Sequence, residues 1–284
     1  MLAYARQLKY PRFWKDFFRT WLASIGAFAL IVGLLAVFFP DFFIGNVLIV
    51  LIVVGGSGVA AIVLSRPVIP FNEYVSDRAK IRLVVGDLFA QPGNSLIGVT
   101  TTFDVTTSDG IIAKSSVQGA LLATVFDGSE ARMGKAMDDA LLPHTPLRSI
   151  HKPGRTNAYE VGTVASLSAT NGTRYFCVAY TEMDTHNNAH GSIENVEKAL
   201  QATWDEVDRT TNGERINVPL IGQGQSRIAG LTPEVVVRLI AISFLLRTRR
   251  SFFSKELCIA IHPSDAGKIN MREFHAFLVQ LGTT

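Results

Sequence analysis

At 284 residues the chain has room for one domain with a sizeable core beside a second, smaller element. Its net charge of +3 lies beside two apolar runs and forms no basic stripe interleaved with aromatics, which excludes a nucleic-acid-binding signature. Cys177 and Cys258 sit in separate apolar, strand-like stretches, the pattern of reduced core residues in a cytosolic domain rather than of a bridge.

Between Arg19 and Arg66 the only charged residue is Asp41, directly after Pro40. The flanking runs, 21–39 and 42–64, are each about 20 apolar residues, enough at ~1.5 Å per residue to cross a ~30 Å hydrocarbon core. Neither has the polar stripe of a soluble helix. A cleavable signal would be shorter in its apolar part and would not run at once into a second span. The sequence therefore predicts a two-helix transmembrane hairpin. Arg6, Lys9, Arg12, Lys15 and Arg19 precede it, and Arg66, Arg78, Lys80 and Arg82 follow it. The Pro40-Asp41 connection has no Lys or Arg, so the positive-inside rule puts both termini in the cytoplasm. Tyr10, Trp14 and Trp21 suit the interfacial belt, and the flanking basic residues would meet anionic headgroups. Small residues share helical faces at Ala23 and Ala27, Ala29 and Gly33, Gly56 and Ala60, and Ser57 and Ala61. Such pairs serve close packing, either within one hairpin or between copies in a homo-oligomer. No span holds an ionisable residue, which argues against a transporter or proton relay.

Arg66-Pro67-Val68-Ile69-Pro70-Phe71-Asn72 reads as a stiff linker, giving a division into 1–72 and 73–284. The second part contains no internal repeat and no low-complexity tract. Strands are expected at 81–85 and 96–99, then a helix at 117–126. Strands 161–168 and 175–181 flank the hairpin signal Asn171-Gly172. A helix at 192–210, capped by Ser192, aligns Ile193, Val196, Leu200, Trp204 and Val207. A strand at 216–221, a helix at 232–246 with Pro233 in its first position, a strand at 257–261 and a helix at 271–281 complete the order. Strand–helix alternation implies a layered α/β/α domain, whose ligands sit at the carboxyl ends of the strands.

Three loops stand at such ends. Val85-Gly86-Asp87-Leu88 leaves a carboxylate there, fit to accept from an exocyclic amine or to serve a turn. Ser108-Asp109-Gly110-Ile111-Ile112-Ala113 precedes a helix. Pro219-Leu220-Ile221 runs into Gly222-Gln223-Gly224-Gln225-Ser226, whose glycines permit an anion-binding nest or a plain turn. In this order the three resemble the loops of the macro domain, an α/β module that binds ADP-ribose. The first resembles the family's Gly-Asp-Ile-Thr turn, whose aspartate takes the adenine amino group. The second resembles its first diphosphate and distal-ribose loop, and the third its second phosphate loop. The likeness covers about Lys80 to the C terminus. By resemblance the ligand site comprises Asp87, Leu88, Thr101, Phe103, Gly110, Ile111, Ile112, Gly222, Gln223, Gly224, Gln225, Ser226 and His262.

One departure bears on chemistry. Many macro domains carry Asn-Ala-Ala-Asn, whose last asparagine positions the distal ribose in hydrolases; here the run is Thr101-Thr102-Phe103-Asp104. That disfavours a hydrolase and favours a sensor, with no catalytic residue, cofactor or metal expected. Two spans followed by such a domain resemble the membrane-anchored macro effector of type II Thoeris antiphage systems. The resemblance implies an inner-membrane protein that binds a histidine-conjugated ADP-ribose made by a TIR-domain enzyme, assembles, and disrupts the bilayer. A membrane-tethered ADP-ribosyl hydrolase and a scaffold for ADP-ribosylated proteins are the alternatives. His186-x-x-x-His190 has metal-like spacing but lies in a polar turn without a convincing third ligand. Asp138-Asp139 reads as a solvated helix face. Ser115-Ser116 lacks a nucleophile elbow. His262 either borders an adenine pocket or makes a surface turn with Pro263.

Overall fold

A computed structural model of the chain describes residues 11–43, 47–64, 73–76, 79–224 and 228–282. They fall into two units, Met1–Phe71 and Asn72–Thr284. The predicted linker at 66–72 and the interfacial Tyr10 lie outside the described residues.

The first unit contains α1 (Pro11–Phe38), the short α2 (Pro40–Phe43) and α3 (Val47–Leu64). Helix α1 stops just short of Pro40, whose missing N–H cannot continue the ladder, and Pro40 instead opens α2 with Asp41 in its first turn. Phe17–Phe38 and Val47–Leu64 are long and apolar enough to cross a membrane by length and composition. Helices α1 and α3 meet at a small-residue face: Ser57 and Ala61 are fully buried, and the Trp21 indole N–H donates to Ser57 Oγ at 3.2 Å. The Gly56 side of α3 is open: among the described residues, beyond its own stretch of helix, no atom comes within 4 Å of where a Cβ would stand. Of the small-residue pairs, Ser57 and Ala61 are thus used inside the hairpin.

The second unit is built on one mixed sheet. Its strands are β1 (Glu73–Val75), β2 (Lys80–Val85), β3 (Asn94–Thr100), β6 (Val164–Ser168), β7 (Arg174–Met183), β8 (Ala189–His190), β9 (Ile216–Pro219) and β10 (Glu256–Ile261), while β4 (Arg148–Ser149) and β5 (Asn157–Ala158) form a separate pair. The order is β1-β2-β10-β9-β3-β7-β6, with β8 added to β7. Strands β2, β10, β9, β3 and β7 run parallel, and β1 and β6 are antiparallel edges. Period-two alternation sends successive side chains to opposite faces, so each central strand feeds two cores. Leu96, Phe176, Val178, Ile216, Leu257 and Ile259 pack on one face beneath α6 (Ile193–Thr210), α7 (Pro233–Arg250) and α8 (Met271–Gly282). Ile97, Val99, Cys177, Ala179 and Ala260 pack on the other with α4 (Val117–Val125) and α5 (Glu130–Leu141). This is the layered α/β/α arrangement expected from the alternation of elements.

Local signals act as read. Ser192 caps α6 through the Asn195 amide and Pro233 occupies the first turn of α7, while Thr232, placed inside the helix by the sequence, stands before it as its cap through the Val235 amide. The Asn171-Gly172 turn joins antiparallel β6 and β7, with Gly172 at φ 85°. Trp204, fully buried, donates to Ser243 Oγ at 2.7 Å and packs edge-on against Phe244, anchoring α6 to α7. The strand predicted to run to Ile221 stops at Pro219, and the rest of that run becomes loop. Cys177 and Cys258 are buried and unbridged, and burial pushes the Cys177 thiol far above its ordinary range.

Candidate functional site

A cavity of about 690 Å³ opens at the carboxyl ends of the parallel strands. It extends from the end of β2 across β10, β9 and β3 to β7, four inter-strand steps of ~4.8 Å, or about 19 Å. Parallel strands all deliver their following loops to one edge, which is why loops far apart in sequence converge there.

The β2 end contributes residues 86–89. Asp87 Oδ1 accepts from the Phe89 amide at 3.0 Å, and Gln91 Nε2 donates to the Asp87 carbonyl at 3.2 Å. This turn holds the exposed carboxylate in place through one oxygen while the other stays uncommitted among the described residues. Beyond β10, His262 also lines the cavity, its Nδ1 2.7 Å from Ser264 Oγ.

The second wall is the loop entering α4. Gly110, Ile111 and Ile112 line the cavity together with Lys114 and the first turn of α4, where Ser116 is the cap and accepts from the Gly119 amide at 3.0 Å. A helix N-terminus presents unpaired amides and partial positive charge, a setting for an anion. The loop is braced from α5: Glu130 Oε1 accepts from the Thr107 amide at 2.7 Å, Thr107 Oγ1 at 3.0 Å and the Ser108 amide at 3.1 Å. The Thr107 amide, foremost among these donors, holds the Glu130 carboxyl below its usual range.

The third wall follows β9. Gly222, at φ 80°, turns the chain at the strand end, and Gln223 and Gly224 complete the lining. Gln223 Nε2 donates to the Leu231 carbonyl and ties this loop to the approach of α7. Gln225 and Ser226 lie outside the described residues.

Thr101 and Phe103 are corrections. Neither lines the cavity: Phe103 is fully buried in the core, edge-on to Tyr159 with centroids 5.5 Å apart, and Thr101 is 3% exposed. The chain turns after β3 with Phe103 in the left-handed region at φ 47°, which swings the ring into the core and away from the strand ends. Asp104 is likewise buried. Its carboxylate accepts from Lys152 Nζ at 2.8 and 3.0 Å, from Thr102 Oγ1 at 2.5 Å and from the Arg155 amide at 2.8 Å. Lys152 is itself buried, so the two charges neutralise each other out of water. Gln118, which lines the cavity, donates to the Asp104 carbonyl at 2.6 Å and links the two regions.

The far end of the cavity escaped the sequence reading. Tyr180, Thr181 and Met183 of β7 and the turn residues Asn187, Asn188 and Ala189 line it. The strand-end rule applied to β7 points to the first three; the turn was marked only by its His186-x-x-x-His190 spacing, which says nothing of a cavity. Gly98 makes room for the Tyr180 ring, since a Cβ there would stand 2.7 Å from its Cε1. Asp184 ties the turn together, accepting from the Asn188 amide at 2.8 Å, Asn188 Nδ2 at 3.0 Å and the His186 amide at 2.8 Å, with His190 Nε2 at 3.1 Å. The Asn188 amide, then its side chain, hold the Asp184 carboxyl well below its usual range. His186 and His190 therefore serve this turn, and among the described residues no group of three metal-ligating side chains occurs. Asp138 pairs with Arg155 at 2.8 Å on the exposed face of α5.

The family model of the Thoeris protein ThsA macro domain matches residues 81–262, more than half of the chain. Thoeris protein ThsA of Bacillus amyloliquefaciens (strain Y2) is 21% identical over 241 residues, covering 82% of this chain and 80% of that protein. Among solved structures, the Oceanobacillus iheyensis macrodomain with MES bound superposes with a TM-score of 0.50 at 10% identity, covering 73% of this chain and 96% of that one. The same macrodomain with ADP superposes with a TM-score of 0.50 at 9% identity over the same shares. At such identities the structural likeness speaks for the fold alone, a macro-type sheet with helices on both faces. The family match, spanning β2 to the end of β10 and all three loops, carries the assignment: the chain belongs to the macro-domain family of Thoeris protein ThsA.

Proposed function

We propose that the chain is a nucleotide-gated membrane effector of antiphage defence, whose cavity takes an ADP-ribose-derived signal. The observation that carries this reading is the convergence of the Asp87 turn, the Gly110 loop with the α4 N-terminus, and the Gly222 loop on one elongated cavity. A carboxylate at one end and two amide-rich loops in the middle match an adenine amine followed by a diphosphate. The related macrodomain with ADP is consistent with this ligand class. By resemblance the signal is a histidine-conjugated ADP-ribose supplied by a TIR-domain enzyme, which acts as source rather than as a bound partner.

Binding proceeds without turnover and without a cofactor. Support comes from Thr101 to Asp104, which is buried and held by Lys152 where hydrolases of the wider family carry their ribose-orienting asparagine. The apolar helices α1 and α3 anchor the chain in the inner membrane with both termini cytoplasmic, and assembly of several copies disrupts the bilayer. Calorimetry on the full-length chain in nanodiscs tests the site. ADP-ribose or its histidine conjugate binds with the nucleotide recovered intact; absence of binding by both contradicts the reading, and multiple turnover restores the hydrolase alternative.

A further inference from the structure

The edge of the sheet opposite the cavity carries a patch that the proposed site does not use. The α7–β10 connection precedes a parallel strand, so it stands at the amino ends of the strands, whereas the cavity opens at their carboxyl ends. Between Glu234 and Glu256 the chain carries Arg238, Arg247, Arg249, Arg250 and Lys255 and no acidic residue. Of the pair Phe252-Phe253, Phe253 is buried against Trp204 and Phe244, while Phe252 is 61% exposed. Gly213 on the neighbouring loop makes room for the outer ring, since a Cβ there would stand 2.7 Å from Phe252 Cε1. Leu246, 50% exposed, stands one helical turn before Arg250 on the same face of α7.

The charges of this patch are unbalanced. Asp205 and Asp208 engage Arg247, Glu256 engages Arg215, and Glu214 accepts from Asn94 Nδ2. Arg249 donates to the Leu281 carbonyl, and none of Arg249, Arg250 and Lys255 has an ion-pair partner among the described residues. The negative end of the α7 dipole accounts for arginines in its last turn, but not for Lys255 beyond it or for an exposed phenylalanine. Exposed apolar side chains beside free cations complement a lipid–water interface, where the ring reaches the acyl boundary and the cations meet anionic headgroups. We propose that this edge of the domain docks on the anionic cytoplasmic surface of the bilayer. Phe252 and Leu246 supply the apolar contact, and Arg249, Arg250 and Lys255 meet the headgroup phosphates. The inference rests on the membrane reading above and adds the face by which the domain meets lipid. Covalent attachment to the apolar helices gives the bilayer a high effective concentration at the domain, so a weak contact suffices. Docked in this way, the domain keeps its cavity open to the cytoplasm, from which nucleotide arrives.

The test places a nitroxide at exposed Asn212, through Asn212→Cys, in the full-length chain in nanodiscs. Cys177 and Cys258 are buried, so the new thiol takes the label. In nanodiscs containing phosphatidylglycerol the label is shielded from a water-soluble nickel chelate. Phosphatidylcholine alone exposes it, as does ~1 M salt, where the Debye length falls to ~3 Å. Each Lys or Arg at an anionic surface favours docking about fivefold, so the double variant Arg250→Gln, Lys255→Gln lowers the docked-to-free ratio roughly 25-fold. Phe252→Ser lowers it about tenfold by removing the apolar contact. Both variants change exposed side chains and melt at the midpoint of the wild type. A label equally accessible in both lipids, or shielding that survives both variants, overturns the inference. Shielding that is independent of lipid charge and comes with spin–spin broadening also overturns it, and assigns the patch to a second copy. A chain that fails to copurify with the nanodisc overturns the membrane reading as well.

Discussion

Under the proposed function Asp87 carries recognition at one end of the cavity, and its geometry makes the consequence of removing it specific. One carboxylate oxygen is committed to the Phe89 amide at 3.0 Å, so Asp87→Ala loses the turn's internal bond as well as the acceptor for an amine. A hydrogen bond to a charged group is worth about 1.5–3 kcal/mol, and nucleotide affinity measured by calorimetry should fall by roughly 10- to 100-fold. Lys152 offers the opposite case, a residue away from the cavity whose loss is felt as stability. Lys152→Ala leaves the Asp104 carboxylate buried with its charge unpaired, at a cost of about 3–5 kcal/mol, read as a lowered midpoint in thermal melts. Asp87 was legible in the sequence because a carboxylate at a strand end has only a few uses. Asp104 and Lys152, which are 48 residues apart, were not, because an ion pair made by the tertiary fold leaves no local pattern. Phe103 misled for a related reason. Its side follows from one left-handed backbone angle, and motif spacing does not encode that.

At the level of elements, most helices and strands were legible, though α5, capped by Ser129, was missing from the expected order, and the supporting contacts were not legible at all. The Ser192 cap, Pro233 at the start of α7 and the Asn171-Gly172 turn are short-range chemistry and stand where the sequence put them. Helix α5 is different: its Glu130 reaches back to the loop before α4, a contact visible only once both elements pack on the same face of the sheet. Glu130→Ala should free the Thr107 and Ser108 amides and loosen the Gly110 loop, seen as faster amide hydrogen exchange there and weaker nucleotide binding. The pH dependence has a definite sign. Hydrogen bonding lowers the Glu130 pKa in the folded state, so its contribution to stability is complete above the ordinary glutamate pKa of 4.5 and is lost as pH falls through the lower folded value. Melting midpoints of wild type and Glu130→Ala should therefore converge in acid, and a gap independent of pH would contradict the brace.

For the whole molecule, the proposed function requires that a filled cavity act on the bilayer. A ligand shifts an equilibrium only by its differential affinity for the two states, so the proposal requires the macro domains of several copies to present different mutual contacts when the cavity is filled. The spans offer small-residue faces for that assembly. Ser57 and Ala61 are occupied within the hairpin, whereas no described residue outside its own stretch of helix approaches within 4 Å of a Cβ at Gly56. Gly56→Leu should thus obstruct packing between copies while leaving Trp21 on Ser57 and the cavity untouched, so nucleotide affinity persists and ligand-dependent cross-linking is lost. Dye release from liposomes holding the full-length protein, with and without histidine-conjugated ADP-ribose, tests the gated-effector account most directly. The account predicts release only when nucleotide is added and suppression of that release by Gly56→Leu. Nucleotide that binds without changing release would contradict it and leave the domain a membrane-anchored scaffold.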